Sequence, residues 1–386
     1  MEEWKTYTLG ELGVDGKGSY GIGAPAVEYS PDKYTYLRIT DINDDGTLAA
    51  SDRKSVDAEG AENYILKEND IVFARTGNST GRAYFYDSRD GELVYAGFLI
   101  KFSLDPNKVN PKILKYYTHS KPYYDWVRSF DSGATRGNIN AQTFASMPIE
   151  LPSRTTQDRI VDIMSAIDDK IRNNNRINHN LEEQAQALYK SWFVDFEPFK
   201  DGKFVESELG MIPEGWRVGV LGELNSFKRG KNLLSKDAAH GEIPVVAGGM
   251  EPSCYHNIAN THAPVITISA SGANAGYMRL YHTDVWASDC SYIDSSSQNV
   301  LFTYCFLRAN ERLLRHAQTG AVQPHVKPSD VNNFKAIIAP QYIIDDFQIN
   351  ISSMFKEIKN RLAENSLLAK EREILLPKLM SGEIDY

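Results

Sequence analysis

The feature that most constrains this chain is a ladder of mainly apolar residues that occurs twice, at alternating steps of four and three positions. Its first copy consists of Ile160, Met164, Ile167, Ile171, Asn174, Asn178, Leu181, Ala185, Leu188 and Trp192. Shifted by 187 positions, the second copy consists of Phe347, Ile351, Met354, Ile358, Arg361, Asn365, Leu368, Arg372, Leu375 and Leu379. This heptad spacing is typical of coiled coils. It predicts two long helices of about 35 residues, each about 50 Å long at a rise of about 1.5 Å per residue.

Shorter matches extend the repeat beyond the predicted helices. The sequence LGEL at residues 9–12 recurs at residues 221–224, which is 212 positions later. Residues 76–81 match residues 271–276 at an offset of 195, and residues 132–134 match residues 319–321 at an offset of 187. Because the offsets shrink in a fixed order, we interpret the chain as two homologous halves with different loop lengths.

The part of each half outside the helices is predicted to be a mixed α/β domain rich in strands. Apolar and β-branched runs predict strands at 34–40, 70–75, 93–102, 243–246, 264–269 and 277–281, and helices at 111–128 and 302–318. The predicted division is a globular domain at 1–153, a central helical spacer at 154–206, a second globular domain at 207–340 and a C-terminal helical spacer at 341–386.

Composition limits the class of protein less than the repeat does. The three cysteines lack CxxC spacing, which argues against a zinc site or a disulfide scaffold and favours a cytoplasmic location. No run of 18 apolar residues predicts a membrane span. The net charge is −9, but residues 221–340 carry 10 Lys/Arg against 9 Asp/Glu. An acidic chain can still bind DNA where basic side chains gather on one surface, so charge does not exclude a nucleic-acid partner.

The order of these motifs resembles the DNA specificity subunits of type I restriction–modification systems over essentially the whole chain. The resemblance rests on Trp216 followed by LGEL, and on residues 188–193, 230–234, 241–246, 320–326 and 375–383. It implies two target-recognition domains related by pseudo-two-fold symmetry and separated by two antiparallel coiled-coil helices. Each domain is expected to read one half of a split DNA target. Since the halves of the chain differ in sequence, that target is expected to be asymmetric.

The same resemblance implies a set of partners. Two modification subunits, which are methyltransferases, are expected to dock on the helices, and restriction subunits that act as ATP-dependent nucleases are expected to join them on double-stranded DNA. S-adenosylmethionine, ATP and Mg²⁺ are expected in those partners, with no cofactor, metal or catalytic site in this chain. In agreement, the sequence lacks a GxxxxGK[ST] phosphate loop. No membrane partner is expected.

Candidate DNA-binding residues are polar or basic side chains in loops, because these reach base edges and phosphates. In the first domain they are Arg75, Thr76, Asn78, Ser79, Arg82, Arg136, Asn138 and Asn140. In the second domain they are Lys228, Arg229, Lys231, Ser269, Ser271, Asn274, Gln323, His325 and Lys327. Ordinary glycine turns and a solvated basic face explain the same residues about as well, so both interpretations stay open at this point.

The helical seam supplies a second group of candidates, for contact between helices or with a partner. These are Ile171, Asn178, Leu181, Leu188, Ile358, Asn365, Leu368 and Leu375. Polar members in the middle of the seam either set the register of the two helices or contact a partner helix or DNA. Apolar residues beside the seam widen the stripe and indicate a bundle with partner helices; they are Ile163, Ile177, Leu362 and Leu376.

Two other classes of function remain open from the sequence. A stand-alone DNA-modifying or nuclease enzyme with an unrecognised active site would transfer methyl groups or cleave DNA without partners. A structural coiled-coil connector with lectin-like heads would show no salt-sensitive affinity for DNA, whereas a DNA-reading protein loses affinity steeply as salt rises.

Overall fold

The computed structural model describes residues 4–49, 52–130, 137–317 and 325–384. It divides into two compact units, of which unit 1 comprises Met1–Arg172 and Asn365–Tyr386, and unit 2 comprises Asn173–Glu364. Each unit therefore contains one globular domain together with parts of both long helices.

The globular domain of unit 1 is built mainly from short strands. They are β1 (Lys5–Thr8), β2 (Ser19–Tyr20), β3 (Ala26–Glu28), β4 (Tyr34–Leu37), β5 (Lys54–Val56), β6 (Asp70–Ala74), β7 (Ala83–Phe85), β8 (Leu93–Tyr95), β9 (Leu99–Ser103) and β10 (Pro148–Leu151). They form two four-stranded sheets with the orders β2-β9-β6-β7 and β3-β5-β4-β8, while β1 pairs with β10. Short helices are α1 (Leu9–Leu12), α2 (Ile113–Tyr117), α3 (Lys121–Arg128) and α4 (Ala141–Ala145).

The long helix α5 (Arg154–Phe193) follows, and the globular domain of unit 2 repeats the plan. Its strands are β11 (Phe204–Ser207), β12 (Gly210–Pro213), β13 (Arg217–Val220), β14 (Lys228–Arg229), β15 (Ile243–Val246), β16 (Cys254–His256), β17 (Val265–Ser269), β18 (Met278–Tyr281), β19 (Trp286–Ala287), β20 (Cys290–Ile293) and β21 (Lys335–Ile338). Its helices are α6 (Leu221–Leu224), α7 (Val300–Ala309), α8 (Glu311–His316) and α9 (Pro328–Asn332), before the second long helix α10 (Gln341–Ser381).

The two domains share the strand order of their main sheets, while β3 belongs to unit 1 alone and the β11–β12 hairpin to unit 2 alone among the described strands. The sheet β14-β20-β17-β18 of unit 2 has the same order as β2-β9-β6-β7 of unit 1, and β16-β15-β19 repeats β5-β4-β8. The pairs β1–β10 and β13–β21 are also equivalent. The second LGEL forms the same one-turn helix as the first, and in both the glutamate accepts a hydrogen bond from the backbone three residues earlier, which caps the helix. The predicted repeat is therefore a repeat of structure.

The long helices follow the predicted heptad seams, whose twenty side chains are all buried or half-buried. In unit 2 the ring of Tyr189 packs 6.0 Å from that of Phe347, and Arg361 Nη1 donates to Asn174 Oδ1 at 2.9 Å. Residues that are later in α5 thus meet residues that are earlier in α10. Within unit 2 the two helices therefore run antiparallel.

The polar layer of the seam is satisfied locally at one of its two positions. Asn174 is fully buried, accepts from Arg361, and donates from Nδ2 to Glu364 Oε2 at 2.8 Å. This geometry favours the register-setting interpretation, because a slipped helix would leave these groups unpaired. Asn178 is 8% exposed, and its amide has no hydrogen-bond partner within the described residues.

Several local predictions were wrong in extent. The predicted strand 93–102 is two strands, β8 and β9, in different sheets, because the chain turns at residues 96–98. The predicted helix 111–128 breaks before Pro122, which lies in the first turn of α3, where its lack of an N–H is tolerated. The predicted helix 302–318 breaks at Asn310. Strand 34–40 ends at Leu37, where Arg38 and Asp41 close a short 3₁₀ turn.

Two further expectations about the spacers need correction. The helix α5 ends at Phe193, and β11 crosses the predicted boundary at residue 206. Leu376 was expected to widen the apolar stripe towards partner helices, but it is 7% exposed and belongs to the core of unit 1. Ile163 and Leu362 are exposed, as are Leu367 and Ile374. None of the described helices is long and apolar enough to span a membrane.

Candidate nucleic-acid interface

The glycine loop of the first domain connects the central strand β6 to β7. All five residues of β6 are buried, and the loop closes where Gly81 N–H donates to Ala74 O at 2.8 Å. Gly81 has φ +86°, and a Cβ there would lie 2.6 Å from Val127 Cγ1. Glycine is therefore required at this position. The loop projects from a rigid strand end, which suits it to hold side chains against a ligand.

The two loops that were predicted separately as DNA-binding lie side by side. Thr76 and Asn138 form a β-bridge, and Ile139 N–H donates to Arg75 O at 3.0 Å. Arg75 Nη2 also donates to Asn138 Oδ1 at 3.4 Å. Three predicted residues, Arg75, Thr76 and Asn138, are thereby brought together, and Asn78 is exposed at the tip of the same loop.

Two aromatic residues that the sequence did not single out flank Arg75. Its guanidinium lies over the ring of Tyr20, 5.0 Å from the centroid, which is a cation–π geometry. Its backbone N–H donates to Phe98 O at 3.1 Å. The Tyr20 and Phe98 side chains are 42% and 60% exposed. Glycines adjoin both residues, at Gly21 and Gly97, and an isolated glycine in a predicted strand indicates a turn or close backbone approach.

Other predicted residues of the first domain have structural partners instead. Ser79 is buried. Asn140 caps α4, where its Oδ1 accepts from Thr143 N–H at 2.9 Å. Arg82 pairs with Asp44 at 2.6 Å and donates to Ile42 O, so its guanidinium faces a different loop from that of Arg75. Arg136 lies outside the described residues.

The second domain reproduces this site with the same hydrogen bonds. Gly276 N–H donates to Ser269 O at 2.8 Å, as Gly81 does to Ala74 O. Ser271 and His325 form the bridge that Thr76 and Asn138 form in the first domain, and Val326 N–H donates to Ala270 O at 3.0 Å. The equivalent residues of the two domains are separated in the sequence by the same offsets of 195 and 187 that the repeat showed.

The side chains at the second site differ from those at the first. Ala270 replaces Arg75, and the cation is instead Arg229, whose position in β14 corresponds to that of Tyr20 in β2. Arg229 forms an ion pair with Asp289, which also accepts a hydrogen bond from the Ser271 hydroxyl. Asp289 was not singled out in the sequence, because an isolated aspartate before a strand carries no distinctive signal.

The remaining predictions for the second domain divide into exposed and buried residues. Lys228, Lys231, His325 and Lys327 are exposed, and Asn274 is half-buried in the glycine loop. Lys231 Nζ lies 5.8 Å from the centroid of the Trp286 ring. Ser269 is buried and donates to Gly248 O at 3.0 Å, so its hydroxyl has a structural partner. Gln323 lies outside the described residues.

The side chains that these two sites present are groups suited to binding a ligand. Burial raises the pKa of the Cys290 thiol, beside Asp289, to about 12, so this thiol stays protonated at neutral pH and is a poor nucleophile. Within the described ranges no three His, Cys, Asp or Glu side chains gather closely enough to hold a metal ion. The groups that both sites do present are an arginine, a hydroxyl, and an amide or imidazole on adjacent loops, which are donors and acceptors for phosphates and base edges.

Comparisons with known proteins agree with this picture. A family model described as "Type I restriction modification DNA specificity domain" matches residues 1–183. The type I restriction enzyme MjaIX specificity subunit of Methanocaldococcus jannaschii is 30% identical over 295 residues, which cover 70% of this chain and 68% of that protein. The HindI specificity subunit of Haemophilus influenzae is 24% identical, and its match covers 100% of both chains.

A solved structure extends the likeness to the fold. The S subunit of a type I restriction–modification system from M. genitalium has a TM-score of 0.57 at 16% identity, and the match covers 98% of this chain and 96% of that one. The predicted mixed α/β fold, with two domains joined by helical spacers, is confirmed.

Proposed function

This chain belongs to the family of type I restriction enzyme specificity subunits, and we propose on that premise that each of its two domains reads one half of an asymmetric, bipartite DNA target. The observation that carries the proposal is the pair of equivalent sites at the ends of β6 and β17. Both are held by the same backbone hydrogen bonds, yet they present different side chains. A frame shared by both domains, with different contact groups in each, is what two unlike half-sites require.

The charges of the sites support duplex DNA as the ligand. Arg75 is the cation of the first site and Arg229 that of the second, with the exposed Lys228 and Lys231 close to Arg229 in the sequence. Arginine is the side chain that most often reads guanine, through paired hydrogen bonds in the major groove, and lysine contacts phosphates as a point charge. The acidic residues of the chain can lie on other surfaces without opposing this contact.

The long helices support the docking of partner subunits. Exposed apolar side chains lie along them at Ile163, Ile349, Leu362, Leu367 and Ile374. These side chains supply apolar contact area for partner subunits along the helices. We place the two methyltransferase subunits there, and assign to them the S-adenosylmethionine and the methyl transfer. The restriction subunits, in turn, would contribute the ATP- and Mg²⁺-dependent nuclease activity.

Mapping methylated adenine in DNA modified by the assembled complex tests the proposal. The expected result is one split sequence with two different halves, and affinity for it that falls steeply as salt rises. The free chain serves as the matched control and should neither methylate nor cleave DNA. Methylation without a defined sequence, or catalysis by the free chain, would overturn the proposal.

A further inference from the structure

The turn between β8 and β9 carries an aromatic ring that the fold itself does not use. Phe98 is 60% exposed, although the backbone around it is tightly held. Gly97 N–H donates to Ile22 O at 2.8 Å, Leu99 N–H donates to Ala96 O at 2.8 Å, and Phe98 O accepts from Arg75 N–H. The ring is therefore presented to solvent from a rigid turn, next to the cation of the first site.

The setting of this ring is a mixed aromatic and cationic surface. Tyr20 is also exposed, its ring lies 5.0 Å from the Arg75 guanidinium, and its hydroxyl accepts from Ala141 N–H at 3.1 Å. An aromatic side chain on a fixed backbone has few rotatable bonds, so its binding to a ligand costs little conformational entropy. Phe98 thus adds apolar contact area to a site whose other exposed groups are the Tyr20 ring and polar side chains.

The second domain identifies the position as one at which the two sites differ. In the first domain Ala74 pairs with Leu99, and in the second Ser269 pairs with Cys290. The residues before these two partners, Phe98 and Asp289, are therefore equivalent, and Asp289 O accepts from Ala270 N–H as Phe98 O does from Arg75 N–H. One backbone position carries an apolar ring in one domain and a carboxylate in the other.

We propose that Phe98 is a specificity-determining residue of the first half-site and packs against the C5 methyl group of a thymine. This inference rests on the proposed function. The thymine methyl is the one apolar group that bases present in the major groove, and phenylalanine is among the side chains that contact it. Asp289 cannot make this contact, and its carboxylate instead orients Arg229 and Ser271 at the second half-site.

Substitution of uracil for thymine tests the contact, because it removes only the methyl group. Each thymine of the mapped target is replaced in turn by deoxyuridine, and binding by the assembled complex is measured for the wild type and for Phe98→Ala. One replacement in the first half-site should weaken the wild type roughly three- to fivefold, the change expected for one buried methyl group. The same replacement should leave Phe98→Ala unaffected.

Two controls keep the test decisive. Phe98→Leu retains an apolar side chain and should keep part of the uracil penalty, and thermal unfolding verifies that both variants fold. Replacements in the second half-site should weaken the wild type and Phe98→Ala equally. An unchanged uracil penalty in Phe98→Ala, or a first half-site without an A·T pair, overturns the role of Phe98 while the proposed function stands. A wild-type complex without any bipartite target would overturn the proposed function instead.

Discussion

The two recognition domains have the same backbone frame but carry their arginine at different positions within it. In the first domain the arginine projects from the glycine loop and is supported by the Tyr20 ring. In the second the arginine projects from the strand that corresponds to Tyr20, and Asp289 supports it through an ion pair. The same backbone hydrogen bonds thus hold both candidate sites, while the side chains differ at five equivalent positions, which on the proposed function would decide the bases that each domain reads.

The glycines that end the two loops are the strongest test of the common frame. Gly81→Ala and Gly276→Ala should each lower the free energy of unfolding by about 2–4 kcal/mol, because both residues have positive φ and an added Cβ would collide with its surroundings. The collisions are with Val127 Cγ1 at 2.6 Å and with Leu314 O at 2.9 Å. Chemical denaturation of the purified chain measures the loss.

Two neighbouring glycines are matched controls for that prediction. Gly77 and Gly272 also have positive φ, but an added Cβ at either would meet no atom within 4 Å. Their alanine variants should lose only about 1–2 kcal/mol from the left-handed backbone. Equal losses at all four positions would show that the two loops are not held by the close contacts described here.

The two arginines test whether the sites act separately. Arg75→Ala should relax base discrimination in one half-site and Arg229→Ala in the other, each by about 1–3 kcal/mol, or roughly 5- to 150-fold. Methylation of a library of randomised half-sites by the assembled complex measures this. Arg82→Ala is the control, because Arg82 is paired with Asp44 in another loop. A variant that relaxed base discrimination equally in both half-sites would show that the two sites do not act separately.

A half-buried histidine in each unit gives the smallest of the three effects. Burial and the nearby Arg372 lower the pKa of His119 to about 4, and burial and Lys359 lower the pKa of His282 to about 4. The unfolded chain, with histidine pKa values near 6.5, then binds protons first as the pH falls. The contribution of each histidine to the free energy of unfolding should therefore be complete above about pH 6.5 and decline towards pH 4. The expected loss is about 1–2 kcal/mol per histidine between pH 7 and pH 5.

Unfolding experiments at pH 7 and pH 5 measure this loss. His119→Gln and His282→Gln should each reduce the pH dependence of the free energy of unfolding, because each removes one titrating group. If neither substitution reduced the pH dependence of the free energy of unfolding, the protons responsible would bind to other groups.

Much of the fold followed from the sequence because it depends on local patterns. The heptad seams predicted α5 and α10, since a side chain that recurs every three to four residues stays on one face of a helix. The strands β6, β15 and β17 were predicted almost to the residue, because a short apolar run between two turn signals is typical of a buried strand. The ordered offsets also predicted which loops of the two domains correspond.

The tertiary structure alone decided which loop residues are available to a ligand. Ser79 lies in a short 3₁₀ turn and Ser269 at the end of the fully buried strand β17, and both are buried although Asn78 beside the first is exposed. Asn140 caps helix α4, and Arg82 forms an ion pair with Asp44, which lies 38 positions earlier in the chain. The contacts of Arg75 with Tyr20 and Phe98 join segments that are far apart in the chain. Such contacts depend on strand pairing, which no local pattern of residues specifies.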